Sequence, residues 1–259
     1  MKLSIVIPVY NELSTLPLIL AKVIQVLSDV EKEIIIVDDC SSDGTRDWLS
    51  KNFGLNQLVK VGLNEKHQIE CISEYVTEAI NTSSINLCVL FHTHNKGKGA
   101  ALRTGFQQAS GDIIVIQDAD LEYDPRDWER MWSLFLDGWA DIVYGSRFYG
   151  MPHRVLYFHH LLGNKVISNL INILCNTTLS DIEVCYKMFH KDVLKAMNLN
   201  CNDFGFEVEF TIKALISKYK WRLYEVGISY YGRTYSEGKK INWKDGIKAL
   251  WYILKYRFL

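Results

Sequence analysis

The amino-acid sequence predicts an α/β fold in which a mostly parallel central sheet is flanked by helices. Through the first half of the chain, short apolar runs rich in β-branched residues alternate with segments whose apolar residues recur at helical spacing. Two of the runs are followed by acidic residues, Asp38-Asp39 and Asp118-Ala119-Asp120, and a glycine-rich turn at residues 95–99 precedes a helical segment. Alternation of this kind is typical of βαβ units, which assemble into parallel sheets.

The first half of the chain supplies the elements of this sheet in order. We predict strands at Lys2–Val9, Glu33–Val37, Leu87–Phe91, Asp112–Ile116 and Asp141–Tyr144, and helices at Leu13–Leu27, from Thr45 onward, at Ala100–Ala109 and at Pro125–Leu136. The last of these helices begins with a proline, whose fixed φ angle and missing N–H suit the first helical turn. The segment 54–86 fits the alternation poorly. We interpret it as an insertion or a lid that holds a short strand, Leu58–Val61, and a helix, Ile69–Ile80.

The pattern changes after Arg147. Here we predict helices at Val155–Cys175, Phe206–Lys218 and Trp243–Tyr256, and strands at Tyr186–Phe189 and Trp221–Tyr230. The sequence contains no repeat, no low-complexity segment and no linker that would separate domains. We therefore predict a single domain, 1–259, made of an N-terminal half, 1–150, and a C-terminal half, 151–259.

The composition restricts the classes of protein to which the chain can belong. Its 259 residues are 48% hydrophobic, which permits a full core, and its formal net charge of −1 argues against a nucleic-acid-binding protein. Six scattered cysteines without a CxxC pair indicate the reduced thiols of a cytoplasmic protein rather than a disulfide framework. A strand directly after Met1 leads us to expect no signal peptide, and no apolar run is long enough to span a bilayer. We expect any membrane contact to be made from the surface.

Two carboxylates one residue apart, Asp118 and Asp120, follow the apolar run 112–117. The carboxyl ends of parallel strands border the crevice where open α/β sheets bind ligands. Carboxylate oxygens suit Mg²⁺ or Mn²⁺, which complete their shells with water and substrate phosphates. The pattern therefore predicts a metal-assisted enzyme that acts on a phosphate-bearing substrate. Asp38-Asp39, at a second strand end, strengthens the prediction if it binds a ribose hydroxyl or a base N–H, although it could instead cap the turn 41–44.

Cationic residues in three other places could bind phosphate. The turn Asn95–Gly99 is either a plain helix start or an anion site at a helix N-terminus. Arg147 follows a predicted strand, and a later loop is polar and cationic through Arg233, Lys239 and Lys240. Without further evidence, the favoured interpretation of each of these arginines, and of Arg154, is a side chain exposed to solvent.

Two further groups of polar residues are weak evidence for a functional site when each is taken alone. His92 and His94 have a spacing that could suit a metal, but a polar loop is the favoured interpretation. Asp181, taken alone, is typical of a turn.

Seven motifs together resemble a known family. The segments 5–12 (IVIPVYNE), 37–45 (VDDCSSDGT) and 118–122 (DADLE) resemble those of inverting family 2 glycosyltransferases with the GT-A fold. The segments 95–101, 145–148, 179–181 and 232–235 are similar to those of the dolichyl-phosphate mannosyltransferase branch and its bacterial polyprenyl-phosphate relatives. The resemblance implies a Rossmann-like sheet with a nucleotide-sugar-binding half, 1–150, and an acceptor-side extension, 151–259.

The resemblance also implies a role for each matching residue. The nucleotide sugar would be bound by Pro8, Tyr10, Glu12, Val37, Asp39, Lys98, Asp118 and Ala119. Mg²⁺ or Mn²⁺ would be held by Asp118, Asp120 and Glu122. The catalytic candidates are Asp181, Arg147 and Arg233, and the acceptor phosphate would be bound by Arg154, Lys239 and Lys240. Two residues depart from the family pattern, because Glu122 stands where mannosyltransferases often carry glutamine and Cys40 where glycine is frequent.

The implied reaction moves a hexose, mannose or glucose, from a GDP- or UDP-hexose to polyprenyl phosphate with inversion. A phosphate acceptor, with a second pKa of ~6, is already largely anionic at neutral pH and needs positioning more than a base. A glycosyltransferase with a hydroxyl acceptor, in polysaccharide or glycoconjugate synthesis, would need a base, for which Asp181 is the candidate. A non-catalytic nucleotide-binding protein is less favoured because the acidic motif is intact.

The C-terminal helix leaves two interpretations open. One face can hold Trp243, Ile247, Leu250, Trp251 and Leu254, and positive charge comes from Lys244, Lys248, Lys255 and Arg257. Such a helix either lies in a membrane interface or packs on the sheet with a solvated edge. We expect a cytoplasmic protein, peripheral on the cytoplasmic face of the membrane.

Overall fold

The structure, a computed structural model, describes residues 1–54, 58–71, 85–237 and 243–259, and it divides the chain into two compact units, Met1–Leu121 and Glu122–Leu259. Each unit consists of a β-sheet with helices packed on it, so the predicted α/β class is confirmed. The single domain and its halves, 1–150 and 151–259, stay predictions.

The first unit holds six described strands. The elements are β1 (Leu3–Val9), α1 (Leu16–Gln25), β2 (Lys32–Asp38), α2 (Thr45–Phe53), β3 (Leu58–Leu63), β4 (Ile69–Cys71), β5 (Ile85–Phe91), α3 (Lys98–Gln108) and β6 (Ile113–Ile116). Their order in the sheet is β4-β3-β5-β2-β1-β6, and β1, β2, β5 and β6 are parallel. The chain therefore extends the sheet first on one side of β1 and later on the other. This reversal makes the carboxyl ends of β1 and β6 a topological switch point.

The parallel strands form where apolar runs can be buried on both faces. All seven residues of β2 and all four of β6 are buried. Helix α3 packs so closely on β1 at Gly105 that a Cβ atom there would overlap Cγ1 of Val6. In a parallel βαβ arrangement the helix begins at the carboxyl edge of the sheet. The N-terminal residue of α3, Lys98, is thereby brought to that edge.

Residues 58–71 form an antiparallel edge rather than a strand and a helix. β3 pairs with β5, and β4 pairs with β3 so that Cys71 lies opposite Val61. The predicted strand at Leu58–Val61 is confirmed, but the predicted helix Ile69–Ile80 is wrong at Ile69–Cys71, which is β4. Residues 69–71 form backbone hydrogen bonds with the edge of β3 that β5 leaves open. These hydrogen bonds favour a strand there in spite of the helical spacing of the apolar residues. Residues 72–80 of that prediction lie outside the described residues.

The second unit is built on three described strands. Its elements are α4 (Trp128–Leu136), β7 (Ile142–Ser146), α5 (Phe158–Cys175), β8 (Lys187–His190), α6 (Lys191–Lys195), α7 (Phe206–Leu215), β9 (Leu223–Gly227) and α8 (Trp243–Phe258). β7 pairs in parallel with β9 and antiparallel with β8. The predicted helix at Pro125 begins as a 3₁₀ turn, Pro125–Asp127, because the Asp124 side chain accepts a hydrogen bond from the N–H of Arg126 and tightens the chain there.

Aromatic side chains fill the core of this unit. The rings of Phe189 and Phe210 are 4.8 Å apart, and the Tyr144 hydroxyl lies 2.8 Å from Oγ1 of Thr211 in α7. Strands β7 and β8 are thereby tied to α7. This core supports the segments that carry Arg147 and Asp181, which lie directly after β7 and shortly before β8.

Candidate active site

The two carboxylates of Asp118-Ala119-Asp120 follow β6 at the switch point. Ala119 is buried, whereas Asp118 and Asp120 on either side of it are partly exposed. Two accessible carboxylates at this spacing are a donor set that Mg²⁺ or Mn²⁺ accepts when water and phosphate oxygens complete the shell. These residues therefore fit the predicted metal. Among the residues that the structure describes, no three His, Cys, Asp or Glu side chains are grouped to hold an ion by themselves.

Lys98 contacts the first of these carboxylates. Its Nζ lies 3.0 Å from Oδ1 and 3.2 Å from Oδ2 of Asp118, and both side chains are partly exposed. The contact joins a predicted nucleotide-binding residue to a predicted metal ligand. The carboxylate of Asp118 would help to hold a metal ion, and Lys98, a cation at a helix N-terminus, would attract a phosphate.

Asp39 organises the glycine-rich turn that precedes α3. Its carboxylate accepts hydrogen bonds from the backbone N–H groups of Lys96 (2.9 Å) and Gly97 (2.7 Å). His92 Nδ1 lies 2.7 Å from the same carboxylate, and His92 Nε2 lies 2.9 Å from Oγ1 of Thr104. Because both ring nitrogens of His92 are engaged within the protein, the geometry favours the polar-loop interpretation over a metal ligand. The contact of Asp39 with a nucleotide stays a prediction.

The other predicted nucleotide-binding residues belong to β1, β2 and the segments that follow them. Pro8 and Val37 lie opposite each other in the β1–β2 ladder, Tyr10 is exposed and Glu12 is buried. Cys40 has a φ angle of 64°, in the left-handed region that favours glycine. A glycine at this position would adopt the conformation without steric strain from a side chain.

In the second unit, Arg147 and Asp181 form a buried ion pair. Arg147 donates to Asp181 from its backbone N–H (3.0 Å), Nε (2.7 Å) and Nη2 (2.7 Å), and the Asp181 side chain is fully buried. Burial opposes the charge of the guanidinium, but the Asp181 carboxylate outweighs it and holds the pKa of Arg147 well above its ordinary value. The paired hydrogen bonds fix the plane of the guanidinium. Two of the predicted catalytic residues are thus brought together.

Glu225, in β9, holds the segment that carries Asp181. Its carboxylate accepts hydrogen bonds from the N–H groups of Ser180 (2.9 Å) and Asp181 (3.1 Å). Ser180 Oγ in turn lies 2.6 Å from Oγ of Ser146, the last residue of β7. Glu225 was not predicted as a site residue from the sequence. The signal that could have revealed it is a single carboxylate inside an aromatic, β-branched strand.

Glu183, a second carboxyl group of this segment, was also missed. Burial is the largest influence on the pKa of Glu183 and raises it to about 7. The positive charges of Arg147 and Lys187 lower this pKa, whereas the carboxyl groups of Asp181 and Glu207 raise it. Lys187 is fully buried and forms an ion pair with Glu207, so part of its charge is already compensated. Glu183 therefore changes its charge close to neutral pH.

Glu122 contacts the segment that carries Arg233. Arg233 donates to Oε1 of Glu122 from its backbone N–H (3.0 Å) and from Nε (3.1 Å), and the Tyr230 hydroxyl donates to Oε2 (3.1 Å). Burial, together with Glu122, raises the pKa of Tyr230 to about 12, so this hydroxyl keeps its proton at neutral pH. The structure thus joins Glu122 to Arg233. Metal binding by Glu122 stays a prediction.

Arg154, in the irregular segment between β7 and α5, contacts residues of the segment 232–237. Its Nη1 donates to the carbonyl oxygen of Gly232 (3.1 Å) and to Oε2 of Glu237 (2.6 Å), and the side chain is 44% exposed. Arg154 is therefore placed to support residues 232–237. Lys239 and Lys240 lie outside the described residues.

Helices α5 and α8 pack on each other, and each exposes apolar side chains. On α8, Ala249 and Ile253 are buried and the side chains that are more than half exposed are Ile247, Trp251, Leu254 and Phe258. On α5 the corresponding side chains are Phe158, Leu162, Val166 and Ile173. The side chains of residues 243 and 244, which belong to the predicted apolar face and the predicted basic residues of α8, lie outside the described part of the structure. Among the helices that the structure describes, none combines the length and the hydrophobicity of a membrane-spanning segment.

These motifs, in this order, match one protein family. The profile of glycosyl transferase family 2 matches residues 4–70 and 70–197, well over half of the chain. The chain belongs to glycosyl transferase family 2. The resemblance drawn from the sequence motifs is thereby confirmed, and the matched ranges contain Asp39, Lys98, Asp118, Arg147 and Asp181.

Two relatives within this group are matched over most of the chain. Dolichol-phosphate mannosyltransferase of Pyrococcus furiosus is 28% identical over a 246-residue match that covers 93% of this chain and 61% of the relative. Undecaprenyl-phosphate 4-deoxy-4-formamido-L-arabinose transferase of Proteus mirabilis is 26% identical over 240 residues, 92% of this chain and 62% of the relative. The chain therefore spans about three fifths of the length of these two relatives.

Solved structures of the glucosyl-3-phosphoglycerate synthase from Mycobacterium tuberculosis share the fold. The complex with Mn²⁺, uridine diphosphate and phosphoglyceric acid has a TM-score of 0.67 at 16% identity, and covers 100% of this chain and 79% of that one. The complex with Mg²⁺ and uridine diphosphate has a TM-score of 0.64 at 16% identity, and covers 99% and 79%. The predicted GT-A fold is confirmed.

Proposed function

We propose that the chain is a metal-dependent inverting glycosyltransferase that moves a hexose from a GDP- or UDP-hexose to a polyprenyl phosphate. The observation that carries the proposal is the pair of accessible carboxylates, Asp118 and Asp120, at the topological switch point of a family 2 chain. Relatives named for dolichol phosphate and undecaprenyl phosphate support the acceptor. Structural neighbours crystallised with Mn²⁺ or Mg²⁺ and uridine diphosphate support the cofactor and the donor.

The donor side of the reaction depends on residues of the first unit. Asp118 and Asp120 would hold Mg²⁺ or Mn²⁺, and Lys98 would contact the diphosphate from the start of α3. When bound, the cation neutralises the charge that develops on the departing nucleoside diphosphate. Lys98, whose Nζ lies 3.0 Å from Oδ1 of Asp118, would supply a second positive charge near the diphosphate. In-line attack by the acceptor on the anomeric carbon would invert that centre.

The acceptor side depends on the arginines of the second unit. Arg147 and Arg233 would bind the acceptor phosphate, and both are already oriented by carboxylates. An orientation that is set before the substrate binds lowers the entropy lost on reaching the reactive arrangement. A lipid phosphate, largely anionic at neutral pH because its second pKa is ~6, needs no base.

The exposed apolar faces of α5 and α8 support a lipid acceptor. Helices with Trp, Phe and Leu on one face and basic residues on another lie in the membrane interface, and α8 carries Lys248, Lys255 and Arg257. We therefore propose peripheral contact with a membrane. The described residues contain all six cysteines and form no disulfide bond, which is typical of proteins in a reducing compartment and supports contact with the cytoplasmic face of the membrane.

A hydroxyl acceptor is the second candidate, and one observation favours it. Such an acceptor needs a base whose pKa lies near neutral pH, and burial raises the pKa of Glu183 to about 7. Asp181, the base suggested by the sequence, is engaged by Arg147 through three hydrogen bonds. Glu183 is therefore the better candidate for that chemistry.

The test is turnover with defined substrates. The protein is incubated with GDP-mannose or UDP-glucose, Mn²⁺ and undecaprenyl phosphate, and the released nucleoside diphosphate is measured. We expect release that depends on both the lipid phosphate and the metal. Asp118→Asn and Asp120→Asn should each lower it by at least ~100-fold, whereas Asp137→Asn, at an exposed position after α4, should leave it unchanged.

Three outcomes separate the alternatives. Equal turnover by the Asp118→Asn and Asp137→Asn proteins contradicts the metal assignment. Turnover with sugar hydroxyl acceptors but not with undecaprenyl phosphate favours the second candidate, and Glu183→Gln should then lower kcat by ~10²-fold or more. With a phosphate acceptor, the same substitution should change kcat by less than about threefold, because no proton has to be removed.

A further inference from the structure

We propose that Glu122 is a positioning residue, which holds Arg233 and its segment in the orientation that binds the acceptor phosphate. The phosphate-binding part of this inference rests on the proposed function, whereas the holding of Arg233 does not. The role differs from metal binding, which the position of Glu122 directly after Asp118-Ala119-Asp120-Leu121 would otherwise suggest.

The carboxylate of Glu122 already accepts three hydrogen bonds within the second unit. Oε1 accepts two from Arg233, at 3.0 Å from the backbone N–H and 3.1 Å from Nε, and Oε2 accepts one from the Tyr230 hydroxyl at 3.1 Å. The backbone carbonyl of Glu122 also accepts a hydrogen bond from the N–H of Tyr231 at 2.9 Å. Glu122 therefore fixes both the backbone of residues 231–233 and the guanidinium of Arg233.

The partners of Glu122 connect it to the other arginine of this unit. The guanidinium of Arg147 lies 5.5 Å from the centre of the Tyr230 ring, within the range of a cation–π contact. The same ring packs against Tyr123 at 5.6 Å. Tyr230 thus contacts Arg147 through its ring and Glu122 through its hydroxyl. Each of the two arginines has a carboxylate partner of its own, Asp181 for Arg147 and Glu122 for Arg233.

Hydrogen-bonding capacity favours positioning over metal binding. An ionised carboxylate offers about four lone-pair positions, and three of those on Glu122 are taken by Arg233 and Tyr230. Both side chains of the ion pair are largely buried, at 20% and 14% exposure. A metal ion on Glu122 would compete with these largely buried donors for a carboxylate most of whose lone-pair positions are already used.

The experiment compares four variants with the wild-type protein. Glu122→Ala removes the carboxylate, and Glu122→Gln keeps an oxygen that can accept from Arg233 without the negative charge. Arg233→Lys removes the Nε donor. Glu129→Gln, at an exposed position on α4, is the matched control for loss of a carboxylate. Each protein is examined for KM of undecaprenyl phosphate, for the Mn²⁺ concentration that gives half-maximal activity, and for amide hydrogen exchange without substrates.

We expect a selective loss on the acceptor side. Glu122→Ala should raise KM for undecaprenyl phosphate by ~10-fold or more, Glu122→Gln by about threefold, and the Mn²⁺ requirement should stay within about twofold of wild type. Arg233→Lys should reproduce the change in KM, and adding Glu122→Ala to it should have little further effect, because the two residues act as one unit. The Glu129→Gln protein should match wild type.

Hydrogen exchange tests the inference independently of turnover. In Glu122→Ala the amide of Arg233 should exchange ~10-fold faster, whereas the amide of Thr234, which donates to Glu237 at 2.8 Å, should not change. If the wild-type protein shows no transferase activity but Glu122→Ala gives this exchange pattern, the proposed function is wrong and the positioning of Arg233 by Glu122 is still supported. A ~10-fold rise in the Mn²⁺ requirement, with unchanged exchange at Arg233 and unchanged KM for the lipid phosphate, would overturn the inference and make Glu122 a metal ligand.

Discussion

Arg147 keeps a positive charge in a buried position because Asp181 meets it with paired hydrogen bonds. Removing either partner would leave the other charge buried without compensation, which in proteins costs ~3–5 kcal/mol of stability. Asp181, which the sequence suggested as a base for a hydroxyl acceptor, is therefore engaged in the ion pair with Arg147. Among the carboxyl groups of this segment, Glu183 is the one whose pKa burial brings to about 7.

The raised pKa of Glu183 predicts a pH dependence of folding stability. Its ordinary pKa is 4.5, and burial in the folded protein raises it to about 7. Between these values the folded protein binds more protons than the unfolded chain, so this group lowers the free energy of unfolding as the pH rises, by up to ~3 kcal/mol. Urea unfolding at about pH 5 and about pH 8 measures the difference.

Two variants isolate the contribution of Glu183. The Glu183→Gln protein should lose this part of the pH dependence, whereas Glu129→Gln, which removes an exposed carboxyl group, should keep it. If the Glu183→Gln and wild-type proteins lose the same stability between the two pH values, the group titrates near its ordinary pKa and the prediction is wrong.

Among the elements, α8 has two apolar faces with different surroundings. Ala249 and Ile253 are buried, while Trp251 and Leu254 are 54% and 57% exposed. Sequence periodicity predicted the larger apolar face, but spacing alone cannot show whether a face meets the protein core or solvent. The packing of α8 against α5 and α7 decides this, and it leaves the face with the tryptophan uncovered within the described part of the chain.

This exposed face predicts membrane binding. The protein should co-sediment with vesicles that contain anionic phospholipids, because apolar side chains enter the interface and basic residues of α8 attract the headgroups. Trp251→Ala combined with Leu254→Ala should weaken binding by at least about tenfold through lost apolar area. Trp139→Ala removes an equally exposed tryptophan outside α5 and α8 and should bind as wild type does. Equal sedimentation of all three proteins would contradict a membrane role for α8.

The elements differ in how far they could be predicted. β2 and β6 were predictable because each contains a continuous apolar run, 34–37 in β2 and 113–116 in β6, that a parallel sheet can bury on both faces. β4 was not, because three residues carry too little pattern and their conformation depends on pairing with β3. Long-range pairing of this kind has no signature within the segment itself.

For the molecule as a whole, the predictable part of the candidate site is the part carried by neighbouring residues. Asp118 and Asp120 could be placed because they follow a strand directly. The contact between Glu122 and Arg233 spans 111 residues, and that between Asp181 and Glu225 spans 44. Such pairs depend on how distant segments fold back on one another, so no local pattern identifies the partner.

The division of the chain allows the two sides of the proposed reaction to be tested separately. Lys98, Asp118 and Asp120 belong to the first unit, and Arg147 and Arg233 belong to the second. A nucleotide with a metal ion therefore probes the first group of residues without a lipid. The central claim, that a divalent cation held by Asp118 and Asp120 binds the diphosphate, concerns this group alone.

The most direct test is the effect of Mn²⁺ on nucleoside diphosphate binding, measured by calorimetric titration of GDP and UDP into the wild-type protein and the protein with Asp118→Asn and Asp120→Asn combined. For one of the two nucleotides, we expect Mn²⁺ to tighten binding to the wild-type protein by at least about tenfold, and to have no effect on the double variant. An equal effect of Mn²⁺ on both proteins, or no effect on either, would contradict the account.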